Sequence, residues 1–212
     1  MIIEGIVTTL NEDRSTHVSP MGPVVDGDLA PHELEHFTLR PYQTSRTYRN
    51  LRRHGEGVFH ITDDVDLLAR AAIGRLDAIP QLLPAEAVAG SILESCCRWY
   101  AFRVTQLDDR QERTSIDCEV VDVGRRRDFL GFNRAKHAVV EAAILATRLH
   151  LLPHDQIREQ LARLEVIVGK TGGAQELAAF ACVDQYVTEQ AISRNARSIQ
   201  SAPAAAVQNE AG

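Results

Sequence analysis

Cysteine is scarce in this chain of 212 residues: Cys96, Cys97, Cys118 and Cys182 are the four, and no Cys-x-x-Cys occurs among them. Adjacent Cys96 and Cys97 cannot clamp one metal ion at the usual ligand spacing, which excludes a thiolate zinc site of that kind. With no secretory context, reduced and mostly buried thiols are expected. No apolar run approaches the length that crosses a bilayer. The N-terminus, Met1-Ile2-Ile3-Glu4-Gly5, has neither the basic region nor the long apolar stretch of a signal peptide, so a soluble, cytoplasmic protein is expected. Basic charge is not in excess either. Lys and Arg number 23 against 29 Asp and Glu, a net charge of −6, which argues against nucleic acid as a general partner. The run Arg125-Arg126-Arg127 reads as a solvated turn. There is no Gly-x-Ser-x-Gly, and the scattered histidines form no triad with a nucleophile.

What is present is ordinary in bulk and specific in one place. Hydrophobic residues make up 44% and charged residues 25%, the balance of a globular domain. The specific place runs from Phe37 to Leu51. A short apolar run stops at Pro41, whose ring fixes its own φ and pushes Arg40 towards an extended conformation. Thr44 and Ser45 are good N-cap residues for a helix in which Tyr48 and Leu51 face a core. Arg46, Arg49, Arg52 and Arg53 take the other side, and Gly55 and Gly57 end the helix. Backbone donors, the hydroxyls of Thr44, Ser45 and Thr47, and guanidiniums from Arg40 and Arg46 together have the chemistry of a phosphate cradle. A capped surface helix with an arginine-rich solvated face is the alternative reading.

Around that stretch the periodicity alternates as in strands. Ile2 to Leu10 and Thr16 to Met21 read as a hairpin turning at Asn11–Ser15, with Gly22-Pro23 breaking the second strand. Val24-Val25, Leu34–Leu39 and Val58–Thr62 read as further short strands, and Asp63-Asp64 can cap a helix through Ile73. Pro80, Pro84 and Gly90 punctuate a stretch without a clear pattern. Trp99–Leu107 and Thr114–Val123 alternate as two more strands, and the total fits a small closed or split barrel. After Gly131 the period becomes helical. One helix carries Ala135 to Leu149, a second is capped by Asp155, and a third follows Gly172-Gly173. Residues 1–130 are therefore expected to form the barrel, 131–195 a helical region packed on it, and 196–212 a flexible tail.

Two motif matches fail on context. His32-Glu33-Leu34-Glu35-His36 spells the zincin pattern, but Pro31 precedes it and strand-like Phe37-Thr38-Leu39 follows, leaving no room for the required helix. Gly169-Lys170-Thr171 matches the end of a P-loop, but the first glycine would fall at Leu164 and the segment follows a helix instead of a strand. No metal site is expected.

The strand ending in Arg40, then Ser45-Arg46-Thr47-x-x-Asn50-Leu51, then Gly55-Glu56-x-Val58-x-x-Ile61-Thr62, resembles the FMN-binding split-barrel proteins of the flavin reductase type. Ile6-Val7-Thr8-Thr9-Leu10-Asn11, Ser19-Pro20-Met21-Gly22 and Phe132-Asn133-Arg134-Ala135-Lys136 resemble a narrower family within them, domain of unknown function 447, found in archaea and planctomycetes. The resemblance extends to about Tyr186. It implies an α+β fold, an FMN-binding split β-barrel with a C-terminal helical segment, usually dimeric with FMN at the subunit interface. In that picture Arg40, Thr44, Ser45, Arg46 and Thr47 hold the phosphate. Ser19, Pro20, Met21 and Gly22 present backbone donors near the isoalloxazine ring, where such donors tune its electronics. Asn133, Arg134 and Lys136 line the substrate side or, equally well, form a capping network. The function implied is an oxidoreductase using FMN with a reduced nicotinamide or deazaflavin donor. The alternative is a non-catalytic flavin-binding or accessory protein, one setting for which is a pterin one-carbon cofactor pathway.

Overall fold

The computed structural model describes residues 1–25 and 34–200. β1 (Gly5–Leu10) and β2 (Thr16–Met21) form the expected hairpin. Its turn is tied by Asn11 Nδ2 donating to Ser15 Oγ (2.9 Å) and Ser15 Oγ donating to Asp13 Oδ1 (2.6 Å). β3 (His36–Leu39) leads into α1 (Arg46–His54), which is followed at once by β4 (Glu56–Ile61). Then come α2 (Val65–Ala72), the short pair β5 (Leu82–Pro84) and β6 (Ser91–Leu93), and the long hairpin β7 (Arg98–Asp108) and β8 (Ser115–Arg125). The chain finishes in α3 (Arg134–Thr147), α4 (His154–Thr171) and α5 (Ala174–Gln200).

Six strands make one sheet in the order β2-β1-β4-β7-β8-β3. Its closure depends on two residues that belong to no named strand. Beyond Met21 the chain bends at Gly22-Pro23 and then resumes the β1–β2 register, so that Val24 stands opposite Ile2. On its other side Val24 pairs with Thr38 of β3, giving and receiving a backbone hydrogen bond at 2.8 and 2.9 Å. Met1 and Val25 also exchange backbone bonds of 2.8 Å. The far edge strand is thereby joined back to β1, and the sheet becomes a barrel with no open edge at that end. Between Thr16 and Met21, by contrast, β2 has a sheet neighbour only in β1 among the described residues. The barrel is split there.

The barrel interior is aromatic. Phe37 packs edge-on to Phe102, their ring centres 5.1 Å apart, and lies 5.8 Å from Phe59, with Tyr48 and Leu51 of α1 reaching the same core. Among the polar side chains buried there, one is ionisable and fully enclosed. His60 accepts the Leu93 N–H on Nε2 (3.1 Å), so its proton is on Nδ1 and donates to the Ile6 carbonyl (3.1 Å). This satisfied neutral imidazole ties β1 and β4 to the β5–β6 pair, and burial holds its pKa down to about 4.

A second core joins α2 to the C-terminal helices. The buried face of α3 is mostly alanine, Ala135, Ala138, Ala142, Ala143 and Ala146, which lets α4 approach closely through Ile157 and Leu161. Several expectations are adjusted here. α4 begins after Pro153 with no side-chain cap, and Asp155 stands in its first turn instead of capping it. α5 continues to Gln200, so the boundary expected at 195 falls within a helix, while 201–212 lie outside the described residues. His32 and Glu33 also lie outside them, and His36 starts β3. Residues 169–171 close α4, as their glycine suggests. All four cysteines are free thiols.

Candidate functional site

The site is organised by the start of α1. Ser45 is the N-cap: its backbone is extended, and its Oγ accepts the Tyr48 N–H at 3.1 Å. The Arg49 N–H reaches the Ser45 carbonyl. Arg46 and Thr47 are the first two helical residues, and their N–H groups have no acceptor among the described residues. At the other end Gly55 takes the left-handed conformation (φ 67°) and its N–H closes on the Leu51 carbonyl at 2.8 Å.

The helix is fixed against the barrel from two directions. Tyr48 Oη donates to Asp109 Oδ2 (2.7 Å) and accepts from Arg52 (3.0 Å), pinning α1 to the β7–β8 turn. Gln43 Nε2 donates to the Asp109 and Gln111 carbonyls (2.6 and 2.9 Å). On the other side Asn50, 2% exposed, donates from Nδ2 to Thr9 Oγ1 and Asn11 Oδ1, both at 3.0 Å. The free amides of the helix start are therefore held by a rigid frame.

Of the residues assigned to the cradle by the resemblance, Thr44, Ser45, Arg46 and Thr47 are consecutive at this point. Ser45 is committed to capping, Thr47 is buried, and Thr44 and Arg46 are exposed. Arg40 lies just before, with its carbonyl accepting from Arg113 Nε at 3.1 Å. Beside the helix start opens a cleft of about 640 Å³, lined by Arg46, Arg49, Asn50 and Arg53 of α1 and by the β1–β2 turn. Arg49 and Arg53 read from the sequence as a solvated face. Their helical spacing was visible, but the wall they oppose belongs to another element. His17 of β2 lies within the influence of this group: burial and the Arg46 charge both hold its imidazole pKa below the ordinary value.

Ser19, Pro20, Met21 and Gly22 are half-buried at the far end of β2, where the barrel splits. Gly22 lies in close approach to the N-terminal segment. A Cβ there would stand 2.6 Å from Ile2 Cγ2 and 3.3 Å from both Glu4 carboxylate oxygens. Partial burial, and then the charge of Glu141 on α3, raise the Glu4 carboxyl beside it.

Asn133, Arg134 and Lys136 separate into two groups. Asn133 caps α3, its Oδ1 accepting from Ala135 and Lys136 N–H (2.8 and 3.1 Å) while Nδ2 donates to the Thr171 carbonyl (3.1 Å). Lys136 Nζ donates to the Asp63 carbonyl (2.6 Å) and pairs with the buried Glu176 carboxylate (3.3 Å). Asn133 thus ties the start of α3 to the end of α4, and Lys136 joins the helices to the barrel. Arg134 is exposed and lines an apolar groove with Phe132, His137 and Leu164. Arg127 departs from the solvated-turn reading, since its guanidinium bonds Asp63. Asp63 is 5% exposed; burial would raise its carboxyl, but Arg127 and Lys136 hold it below the usual range. Among the described residues its Oδ2 has no partner, no group of three metal-ligating side chains occurs, and no helix is long and apolar enough to cross a membrane.

The architecture defines the class: a split β-barrel of the flavin reductase-like kind, extended by C-terminal helices. The chain belongs to the family described as protein of unknown function (DUF447), with residues 3–127 matching its N-terminal domain and residues 133–185 a second domain. Among solved structures it is similar to an FMN-bound protein of that family from Methanosarcina mazei. The identity is 22%, covering 87% of this chain and 94% of the other, with a TM-score of 0.73. It is also similar to flavoredoxin from Methanosarcina acetivorans, at 10% identity over 61% of this chain and 72% of that one, TM-score 0.51.

Proposed function

We propose that this protein binds FMN, with the phosphate at the start of α1, and acts as an oxidoreductase of flavin reductase type. The observation that carries the reading is the pair of unpartnered Arg46 and Thr47 amides beside the Arg46 guanidinium. A phosphate monoester carries about −1.5 to −2 charges and several acceptor oxygens. It matches two aligned N–H donors, the positive end of a helix and a forked cation. The fit is good, and a solved relative in the same family is FMN-bound.

In this reading Thr44 and Thr47 flank the phosphate, Ser45 holds the helix start in shape, and Arg40 adds positive charge from the strand side. Ser19, Met21 and Gly22 offer backbone N–H donors to the edge of the ring from the split in the barrel, and Pro20, which has no N–H, shapes the strand between them. Arg134 stands at the substrate side, while Asn133 and Lys136 act by fixing the start of α3. Bound flavin would supply the redox chemistry, passing electrons between a reduced nicotinamide or deazaflavin donor and an acceptor. The chain's part is to orient and to shield.

Titration of the purified protein with FMN is expected to saturate at about one per subunit, with riboflavin binding much more weakly. His17 provides an independent readout. A phosphate beside Arg46 offsets the positive charge that holds this imidazole down, so its pKa, followed by NMR, is expected to rise on FMN binding and not on riboflavin binding. Riboflavin binding as tight as that of FMN would remove the cradle. Anaerobic addition of the electron donors is expected to bleach the bound flavin.

A two-fold homodimer belongs to the same proposal. Leu130 and Phe132 are 85% and 91% exposed and stand beside Phe129, an apolar patch that a second copy can cover. Light scattering of the flavin-loaded protein is expected to give twice the mass of 23.5 kDa. A monomer mass at micromolar concentration would exclude an interfacial site.

A further inference from the structure

Arg46, Arg49 and Arg53 stand one above another on a single face of α1. Only the first belongs to the helix start. All three line the cleft of about 640 Å³, whose opposite wall is Asn11, Glu12, Asp13 and Ser15 and whose base includes the buried Asn50. That volume lies in the range of about 300–1,000 Å³ that holds a whole small ligand, far more than one phosphate group needs. The lining is polar and charged throughout, which does not suit an isoalloxazine ring.

The charges around it are unevenly matched. Arg53 is met by Glu12 at 3.5 Å. Asp13 Oδ1 accepts from both the hydroxyl and the N–H of Ser15, and these bonds, with a smaller effect of Arg46, hold its carboxyl below the usual range. Arg49 has no anionic partner among the described residues. A phosphate at the helix start engages Arg46. Arg49 then stands about 4–5 Å further along the axis and Arg53 about 10 Å, from the rise of 1.5 Å per residue. All three arginines line one concavity whose other wall is a separate element, which sets them apart from a face open only to solvent. The base of the concavity is fixed by the bonds from Asn50 to Thr9 and Asn11.

The geometry points to a second anion subsite at Arg49 and Arg53, beside the phosphate cradle and separate from it, that takes a phosphate group of a nucleotide-bearing ligand. The inference rests on the cradle reading for what occupies Arg46. Two ligands carry that chemistry: a separate nucleotide-bearing substrate, or the adenylate half of FAD bound in place of FMN.

ADP is the probe, measured by calorimetry against the FMN-loaded and the flavin-free protein, with FAD and FMN affinities compared in parallel. ADP is expected to bind the FMN-loaded protein. Arg49→Ala is expected to weaken ADP about tenfold or more, the loss of one charge-assisted contact, with FMN affinity little changed. Arg53→Ala gives a smaller loss, because Glu12 already offsets that charge. Arg163→Ala, on the exposed side of α4, is the control. If ADP binds only the flavin-free protein, while FAD outbinds FMN by a margin that Arg49→Ala removes, the subsite stands and belongs to the flavin's own adenylate. Absence of both ADP binding and an FAD margin overturns it. Equal loss of FMN and ADP in Arg49→Ala also overturns it, since Arg49 is then part of the cradle. Should FMN fail to bind while ADP binds in an Arg49-dependent way, the flavin reading fails and the anion subsite remains.

Discussion

Replacing Arg46 with alanine is expected to weaken FMN binding roughly ten- to a hundredfold and to leave riboflavin nearly unaffected. The side chain is exposed at the first helical position, beside amides with no other acceptor, so its only large interaction in the complex is with the phosphate. Loss of a charge-assisted contact of this kind costs about 1.5–3 kcal/mol, and about 1.4 kcal/mol is a factor of ten in affinity. Folding should survive, because the cap is made by Ser45 and the helix is anchored by Tyr48, Asn50 and Leu51. Arg53, at the far end of the same helix, is an unsuitable control, since it lines the same cleft. Arg163→Ala changes net charge equally from a distant, exposed position. Fluorescence titration with both flavins checks the result. A similar loss of riboflavin and FMN affinity would mean that Arg46 acts through general stability, and the helix start would revert to a capped surface helix.

Acid is expected to remove about 3 kcal/mol of folding stability through His60 alone. The imidazole is fully buried, accepts the Leu93 N–H and donates to the Ile6 carbonyl, so the folded protein keeps it neutral with a pKa of about 4 against an ordinary 6.5. In the unfolded chain the same group protonates near pH 6.5. Between those values the unfolded state binds more protons than the folded one, so stability rises with pH and is lost as pH falls through this window. The gap between 6.5 and about 4, at about 1.36 kcal/mol per pH unit, gives the figure. Depressed carboxyls such as Asp63 and Glu176 lose their contribution at lower pH, as pH falls through their folded pKa values. His60→Gln isolates the histidine, because the amide offers one donor and acceptor in similar positions and cannot titrate. Urea unfolding from pH 7 to 4.5 is expected to show the difference between wild type and variant shrinking steadily as pH falls. A constant difference across that range would mean that His60 is not the titrating group.

The sequence by itself determined the elements whose causes are local. Ser45 before Arg46 and Gly55 after His54 set the two ends of α1, because a cap hydroxyl and a left-handed glycine act within one turn. The β1–β2 hairpin followed from β-branched runs around a polar turn, and the helical period after Gly131 marked α3 and α4. The β5–β6 pair was not legible, since strands of three residues, the first ending in Pro84 and the second following Gly90, show no alternation. Tertiary structure alone decided what depends on distant partners. Closure of the barrel rests on Val24 meeting Ile2 and Thr38; all three read as strand from the sequence, but only the fold chose them as partners. Asn133 became a joint between α3 and α4, and Lys136 one between helices and barrel, because Thr171, Asp63 and Glu176 lie within their reach. Arg127 left the solvated turn for Asp63, 64 residues away in the chain. The helical period put Arg46, Arg49 and Arg53 on one face of α1. Only the packing of the Asn11–Ser15 turn opposite made that face the wall of a cleft.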